Sequence, residues 1–278
     1  MAGKETPVFW NQDEEGLIRD YQEEGVVCIR QLLNPKQIAL LTEGIEHNLQ
    51  QLSHRAKVAS RPDDPGCFVE DFCTWQTNPF YQELIFDSCL GEIAAKLTDS
   101  RHIRLYHDHL LVKEADTLQS TPWHQDQPYY NIEGLQNCSM WIPVDPVSQH
   151  AALRFVSHSH RGPWLMPRSF MDKQAKWFPE GSLGELPDIE QNPQQYEIKS
   201  WSMQPGDVIC FHMLSLHSSR GADTGQRRRA FSLRFLGDDI IHAPRPWITS
   251  PDFPGLTEEL AAGAPMCHPL FPVIWKAD

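Results

Sequence analysis

Basic residues are scarce in this chain. Its 278 residues include 24 Lys and Arg against 37 Asp and Glu, which gives a formal net charge of -13 at pH 7. Nucleic acids and anionic membranes are bound mainly through clustered Lys and Arg, and the basic run from Arg227 to Arg229 is too short to reverse the overall charge. We therefore expect neither a nucleic-acid partner nor a membrane partner.

Long apolar runs and paired cysteines are also lacking. No stretch approaches the length of a membrane span, and the residues after Met1 are polar, unlike the apolar core of a signal peptide. The seven cysteines are scattered and show no CxxC spacing, which disfavours a disulfide framework and a zinc knuckle. The sequence therefore predicts a cytoplasmic protein with reduced thiols.

Helical signals dominate the first hundred residues. Apolar positions at helical spacing predict a helix from Asn11 to Glu24, which the next glycine ends, and a short strand follows from Val26 to Arg30. Asn34 and Pro35 form a capping pair ahead of an amphipathic helix. A further helical pattern runs from Tyr81 to Leu97. This part of the chain is predicted to be a helical layer.

The pattern changes to short β-like runs from Arg104 onward. Many short strands without intervening helices favour an antiparallel sandwich or barrel, so we expect a mainly β fold with N-terminal helices. The predicted strands are Leu105 to Lys113, Asn137 to Val144, Leu153 to Val156, Tyr196 to Ser202, Val208 to Leu214 and Arg229 to Leu236. We expect a single domain, in which residues 1–100 form the helical layer and first strands, 101–240 the β core and 241–278 a C-terminal extension.

Two segments are predicted to lie outside the regular elements. Residues 53–67 are mostly polar and indicate an exposed loop. The insertion at residues 161–193 contains five prolines and several aromatic residues, and loops of that length inside a domain are usually functional or disordered. We interpret the insertion as a lid, with Trp164 and Phe170 as weak candidates for substrate contact.

The segment Trp123-His124-Gln125-Asp126-Gln127 contains the first candidate metal ligands. On an extended backbone alternate side chains share a face, so His124 and Asp126 would point the same way and could bind one ion. A lone His-x-Asp arises often by chance. The hypothesis therefore needs a third ligand.

His217 is the candidate third ligand. It lies just beyond the apolar strand that the turn at Gly206 and Asp207 begins, where a strand end can open into a site. Two histidines and one carboxylate form a facial triad, which leaves coordination positions free for a cosubstrate and O₂ and suits iron(II) oxygenases. Zinc could use the same ligands, but structural zinc usually takes four protein ligands with more thiolate.

Arg228 is the candidate binding residue for the far carboxylate of an oxoacid. A strand through residues 226–235 would place Arg228, Ala230 and Ser232 on one face, and the two small neighbours leave room for a ligand. A planar guanidinium binds a carboxylate through two parallel hydrogen bonds, which Lys cannot reproduce.

In this order, the motifs resemble those of the phytanoyl-CoA dioxygenase family, a group of iron- and 2-oxoglutarate-dependent oxygenases. The similarity covers most of the chain from about Trp10 to Phe235. It is strongest in three blocks, which are residues 123–127, Cys138-Ser139-Met140-Trp141-Ile142-Pro143-Val144-Asp145, and Gly206-Asp207 through His217-Ser218-Ser219 to Arg228.

The resemblance implies a role for each matching residue. His124, Asp126 and His217 would bind Fe(II), and the cosubstrates would be 2-oxoglutarate and O₂. The family's cosubstrate arginine lies 11 residues after the distal histidine, which selects Arg228 here. The resemblance also implies that Ser219 helps to hold the same carboxylate and that Trp141 packs beside the cosubstrate. His212 is interpreted as structural.

The implied fold is a double-stranded β-helix, the cupin-like jelly roll, and the implied reaction is hydroxylation of an unactivated C–H bond with release of succinate and CO₂. Halogenases of the family lack the carboxylate, whereas Asp126 is present here. A small-molecule metabolite is favoured over an acyl-CoA thioester, because an acidic chain shows no basic patch for the CoA phosphates.

Candidates for substrate contact are Tyr129 and Tyr130, just past the metal motif, together with His107 and His109 on one face of the preceding strand. Two other functions remain open at this stage. One is a metal-dependent hydrolase or isomerase on a cupin-like barrel, which would not need Arg228. The other is a catalytically inactive binding protein, which the complete set of ligands disfavours.

Overall fold

The computed structural model describes residues 13–61, 63–166, 178–179 and 181–277. Within these residues the helices are α1 (Glu14–Glu24), α2 (Pro35–Gln50), α3 (Pro79–Asp87), α4 (Leu90–Thr98) and α5 (Leu256–Glu259). The strands are β1 (Val26–Ile29), β2 (Lys57–Val58), β3 (Phe68–Phe72), β4 (His102–Lys113), β5 (Thr121–His124), β6 (Ile132–Glu133), β7 (Asn137–Pro143), β8 (Leu153–Val156), β9 (Ile198–Ser200), β10 (Val208–Phe211), β11 (His217–Ser219), β12 (Arg228–Leu236), β13 (Ile241–His242) and β14 (Val273–Lys276).

The strands form two main antiparallel sheets. The larger sheet has the order β1-β10-β7-β12-β4-β3-β2, and β14 adds to the other end of β4. The smaller sheet has the order β5-β11-β8-β9. A further pair, β13 and β6, lies outside both. The arrangement confirms the predicted jelly roll with N-terminal helices.

The two faces of the larger sheet differ in character, and β12 shows the difference. Phe231 and Leu233 belong to the apolar core that the sheet shares with the helices. Arg228, Ser232 and Arg234 point the other way and line an internal cavity. Because side chains alternate along a strand, one apolar face and one polar face arise from a single segment.

The structure confirms the predicted helical layer. Asp13 caps α1, and Gly25 ends it in the left-handed conformation with φ +80°. Asn34 and Gln37 cap each other's backbone N–H groups at the start of α2, in a reciprocal capping box. Residues 11 and 12 of the first predicted helix lie outside the described residues.

The helical pattern from Tyr81 to Leu97 is confirmed, and the structure divides it into two helices, α3 and α4. Ser88 takes an extended conformation that ends α3, and α4 begins two residues later. The break lets both helices bury apolar side chains in the same core, for example Leu84 of α3 and Ile93 of α4.

The structure contains regular pairing in both segments that the sequence predicted as loops. The segment 53–67 contains the short strand β2, which pairs with β3 at the edge of the larger sheet. In the insertion, residues 167–177 and 180, including Phe170, lie outside the described residues. Leu165 and Gly184 form a bridge across the described part. None of the helices in the described residues combines the length and the apolar composition that a membrane span requires.

Replacing Phe231 by Ala should strongly destabilise the fold. The Phe231 ring is fully buried and stacks on Tyr81 with ring centres 4.1 Å apart. Removing a buried phenyl ring generally costs about 3–5 kcal/mol, through lost transfer energy and a residual cavity. Urea unfolding should measure this loss. Phe86→Ala is the control, since Phe86 is 43% exposed and should cost about 1 kcal/mol or less. Equal losses would contradict the assigned core.

Candidate metal and cosubstrate site

His124, Asp126 and His217, which we call the triad, lie at one end of the smaller sheet. His124 ends β5, and His217 begins β11 as its direct cross-strand partner. The Nε2 atoms of His124 and His217 lie 3.6 Å and 3.8 Å from Oδ1 of Asp126. All three ligand atoms lie within 4.8 Å of one another. The tertiary structure therefore brings together the three residues that the motifs selected.

One detail of the local prediction is wrong. Asp126 does not continue the extended strand, because its backbone is helical (φ -77°, ψ -46°) and opens a short 3₁₀ turn over Gln127–Tyr129. The amide N–H groups of Asp126 and Gln127 both donate to the carbonyl of Met213. The carboxylate thus reaches His124 across a turn, not by strand alternation.

Both imidazoles of the triad are oriented by backbone carbonyls. Nδ1 of His124 lies 2.9 Å from the carbonyl oxygen of Pro122, and Nδ1 of His217 lies 2.9 Å from that of Ser215. A carbonyl only accepts, so each ring carries its proton on Nδ1 and presents the Nε2 lone pair to the other ligands. Burial lowers the pKa of His217, which favours the neutral form that a metal needs.

The second oxygen of Asp126 is held by the opposite sheet. Arg234 places Nε 3.0 Å from Oδ2, and the hydroxyl of Ser139 donates to the same oxygen at 3.1 Å. Burial is the largest single effect and would raise the pKa of Asp126, but Arg234, His217, His124 and the hydrogen bond from Ser139 together outweigh it and hold the pKa well below its usual value. The carboxylate is therefore ionised, with Oδ1 directed towards the imidazoles.

Arg234 was missed by the sequence analysis. The signal was present, because Arg234 continues the alternation of Arg228, Ala230 and Ser232 along one face of β12. Its Nη1 donates to Ser232, and its Nε also lies 3.1 Å from the hydroxyl of Tyr130. Arg234 is buried, and the carboxylate of Asp126 compensates its charge, while Ser232 and Tyr130 add hydrogen bonds.

The three residues expected to hold the cosubstrate line the same cavity as the triad. Arg228 is 7% exposed, and its guanidinium carbon lies 5.8 Å from the ring centre of Trp141. One of its N–H groups donates to the carbonyl of Ala151. Burial lowers the pKa of Arg228 to about 10, which still leaves it charged at neutral pH. Ser219, two residues after His217 on β11, also lines the cavity.

A buried lysine beside Arg228 is a second residue that sequence reasoning missed. Nζ of Lys113 donates to the carbonyls of Gln119 and Arg220 at 2.6 Å and 2.9 Å, and to Oγ of Ser219 at 3.3 Å. Lys113 is the donor in this bond, so the hydroxyl hydrogen of Ser219 remains available for another acceptor. Only the β4 to β12 register places Lys113 opposite Arg228.

The substrate candidates have different positions. Tyr129, Tyr130 and His109 line the cavity, whose volume is about 450 Å³. His107 is 1% exposed, packs edge-on against Tyr130 and is not among the residues that line the cavity. Burial, followed by the charges of Asp126 and Glu70, raises the pKa of the Tyr129 phenol well above its usual range. Trp164 contacts Arg245 outside this cavity.

Two other sets of potential metal ligands, His212 and the cluster of Glu24, His158 and Glu197, have protein partners in the structure. His212, interpreted as structural, is buried and its ring bonds to the backbone of Leu135 and Leu214. Glu24, His158 and Glu197 also cluster, but Nζ of Lys199 lies 3.5 Å from Glu24 and 2.8 Å from Glu197. A protein cation already balances that acidic cluster.

Comparison with known proteins places these features in a family. The family model for phytanoyl-CoA dioxygenase matches residues 21–230. A curated relative, the probable phytanoyl-CoA dioxygenase of Caenorhabditis elegans, is 26% identical over 143 residues, which is 48% of this chain. The match spans 43% of that relative's own length.

Several solved structures share the fold. The non-heme alpha ketoglutarate dependent carbocyclase SnoK from nogalamycin biosynthesis is 20% identical with a TM-score of 0.73, covering 97% of this chain and 99% of its own. The epimerase SnoN, in complex with Fe³⁺, alpha ketoglutarate and nogalamycin RO, is 17% identical with a TM-score of 0.74, covering 94% and 98%. EctD from S. alaskensis, with 2-oxoglutarate and 5-hydroxyectoine, is 17% identical with a TM-score of 0.66, covering 91% and 87%.

The family model covers well over half of the chain, and its match includes both motifs of the triad and Arg228. The chain therefore belongs to the phytanoyl-CoA dioxygenase family.

Proposed function

We propose that this protein is an iron(II)- and 2-oxoglutarate-dependent dioxygenase that hydroxylates an unactivated C–H bond of a small metabolite. The observation that carries the proposal is the shared cavity, which both the triad and Arg228 line. A metal-dependent hydrolase or isomerase would need the triad alone. Among the described residues Arg228, unlike Arg234, forms no ion pair with a carboxylate, and the carboxylate of an anionic cosubstrate would be a suitable partner for it.

The donor set of the triad fits iron(II). Two imidazoles and one carboxylate on one side of a metal leave the other coordination positions open, whereas structural zinc normally takes four protein ligands. When bound, iron and 2-oxoglutarate supply the oxidising chemistry with O₂, and 2-oxoglutarate is converted to succinate and CO₂. The protein contributes orientation, charge and exclusion of water.

The far end of the cavity suits the distal carboxylate of 2-oxoglutarate. Arg228 offers a charged, planar set of donors, and Ser219 offers a hydroxyl hydrogen because Lys113 occupies its oxygen as a donor. Burial strengthens each of these interactions, since the local dielectric is low. Trp141, on the neighbouring strand β7, supplies an apolar surface beside the guanidinium.

The substrate side of the cavity favours a small metabolite over an acyl-CoA. A volume of about 450 Å³ is within the usual range for small-ligand pockets, about 300–1,000 Å³. Among the described lining residues, the cations are Arg228, Arg234 and Lys57. The two arginines already serve the cosubstrate and Asp126, so the phosphates of CoA would find a single lysine. An acyl-CoA 2-hydroxylase remains the alternative that the curated relative suggests.

The triad is tested first by replacing Asp126 with Ala. An anaerobic titration of metal-free protein with iron(II) and then 2-oxoglutarate should produce the weak visible charge-transfer band of a chelated oxoacid. We expect Asp126→Ala to abolish the band, because one of three protein ligands is lost. Asp252→Ala is the matched control, since Asp252 is 62% exposed and pairs with Arg55. A band of unchanged intensity in Asp126→Ala would remove this carboxylate from the metal site.

Arg228 separates the dioxygenase from the hydrolase or isomerase. Arg228→Ala should weaken 2-oxoglutarate binding by about 10- to 100-fold, because charge-assisted hydrogen bonds contribute about 1.5–3 kcal/mol. Arg228→Lys should recover part of that loss, since it restores the charge without the planar pair of donors. The band titration measures both dissociation constants. Arg227→Ala, at a half-buried surface residue paired with Glu46 and Glu114, should have no effect.

Hydroxylation itself is tested by isotope labelling. Two of the similar structures are named as a carbocyclase and an epimerase. Reactions other than hydroxylation are therefore named for proteins with this fold. With an accepted substrate, we expect one atom of ¹⁸O₂ in the product and the other in succinate, measured by mass spectrometry. Substrate conversion without ¹⁸O in the product would favour cyclisation, desaturation or epimerisation instead.

A further inference from the structure

Lys113 is buried at the end of the cavity where the far carboxylate of the cosubstrate is proposed to bind. It is 1% exposed and is not among the residues that line the cavity. Its direct cross-strand partners are Arg228 on β12 and Phe68 on β3, and both of these residues line the cavity. Side chains of direct cross-strand partners share one face of a sheet, so Lys113 lies in a row between Arg228 and Phe68.

The amine of Lys113 connects the two sheets. Lys113 belongs to β4 of the larger sheet, whereas its polar partners belong to the smaller sheet or adjoin it. Nζ donates to Oγ of Ser219 at the end of β11, to the carbonyl of Arg220 that follows, and to the carbonyl of Gln119 just before β5. One side chain therefore holds the start of β5 and the end of β11 against the larger sheet.

The partners of Lys113 match the hydrogen-bonding capacity of its charged form. An ammonium group has three N–H donors, and the two carbonyls and Oγ of Ser219 supply three acceptors. A neutral amine has only two N–H donors, so Ser219 would have to donate its own hydrogen to Nζ. The charged form instead leaves that hydrogen for a ligand in the cavity, which Ser219 lines.

The charge of Lys113 is poorly compensated by the protein. Within the described part of the chain, Lys113 forms no ion pair with a carboxylate, and its closest aromatic contact places Nζ 4.8 Å from the centre of the Phe68 ring. Burial, followed by the charge of Arg228, lowers the pKa of Lys113, and the more distant charge of Glu70 opposes this only in part. An anionic ligand bound at Arg228 would therefore stabilise both cations.

We propose that Lys113 is a positioning residue for the cosubstrate, which acts through Ser219 and makes the site selective for oxoacids that carry a second carboxylate. Lys113 fixes the oxygen of Ser219, and the hydroxyl hydrogen is then directed to the ligand. The inference rests on the proposed function, because it concerns the far carboxylate of the same cosubstrate. A purely structural role for Lys113 would affect the binding of every oxoacid equally.

Two oxoacids that differ only at the far end test the inference. They are 2-oxoglutarate and 2-oxopentanoate, which has a methyl group in place of the far carboxylate. Both are titrated anaerobically into the iron(II)-loaded protein, and the visible band gives each dissociation constant. Lys113→Met keeps a similar length without the donors, so we expect it to weaken 2-oxoglutarate binding about tenfold and to leave 2-oxopentanoate binding unchanged. Lys36→Met, at an exposed position in α2, is the matched control and should change neither.

The affinity for iron(II) without an oxoacid is the second reference. It should be unchanged in Lys113→Met, because Lys113 contacts none of the triad residues. If 2-oxopentanoate binds too weakly to produce a band in the wild-type protein, loss of 2-oxoglutarate affinity at unchanged iron affinity supports the same conclusion. A parallel loss of iron affinity would instead identify Lys113 as a structural residue and overturn the inference.

The route through Ser219 is tested by a double-mutant cycle. Ser219→Ala should also weaken 2-oxoglutarate binding selectively. In the protein that carries both Lys113→Met and Ser219→Ala, the loss should be smaller than the product of the two single losses, because both residues act on one interaction. Losses that multiply fully would contradict a role of Lys113 through Ser219.

The remaining outcomes separate this inference from the proposed function. Equal losses for the two oxoacids in Lys113→Met, or no loss for 2-oxoglutarate, would overturn the role of Lys113 while a normal wild-type band leaves the dioxygenase proposal intact. Absence of the band in the wild-type protein would contradict that proposal itself. If Lys113→Met does not fold, Lys113→Gln, which keeps a donor for the backbone carbonyls, is measured by the same criteria.

Discussion

The ion pair between Asp126 and Arg234 joins the two sheets at the candidate metal site. Asp126 follows β5 of the smaller sheet, whereas Arg234 and Ser139 project from the larger sheet and hold its Oδ2 atom. Removing one member of a buried pair generally costs about 3–5 kcal/mol, because the remaining charge is left uncompensated. The carboxylate ligand is therefore in place only when the sheets are packed correctly, and the site depends on the whole jelly roll.

The larger sheet combines this polar interior with an apolar outer face that stabilises the fold. Its outer face packs against the four N-terminal helices in one continuous apolar core, and its inner face carries the buried arginines, Ser139 and Lys113. Burying charged groups opposes folding unless they are paired and hydrogen-bonded. The apolar burial on the outer face offsets that penalty, since each large side chain removed from water contributes about 1.5–3 kcal/mol. The helical layer thus supports the site although it supplies none of the triad.

The sequence by itself was sufficient for the fold class, the order of the motifs and the three members of the triad. Strand and helix periodicity indicated a mainly β fold with N-terminal helices, and residue types suggested the metal ligands, whereas the jelly roll and the significance of the motif order came from the resemblance to the phytanoyl-CoA dioxygenase family. Arg234 and Lys113 were not identified, because their roles depend on which strands are neighbours and in what register. The break at Ser88 and the helical backbone of Asp126 were missed for a related reason. Helical periodicity continues across a break when both helices bury the same face. The turn at Asp126 is held by the carbonyl of Met213, a residue that is distant in sequence and adjacent only in the folded chain.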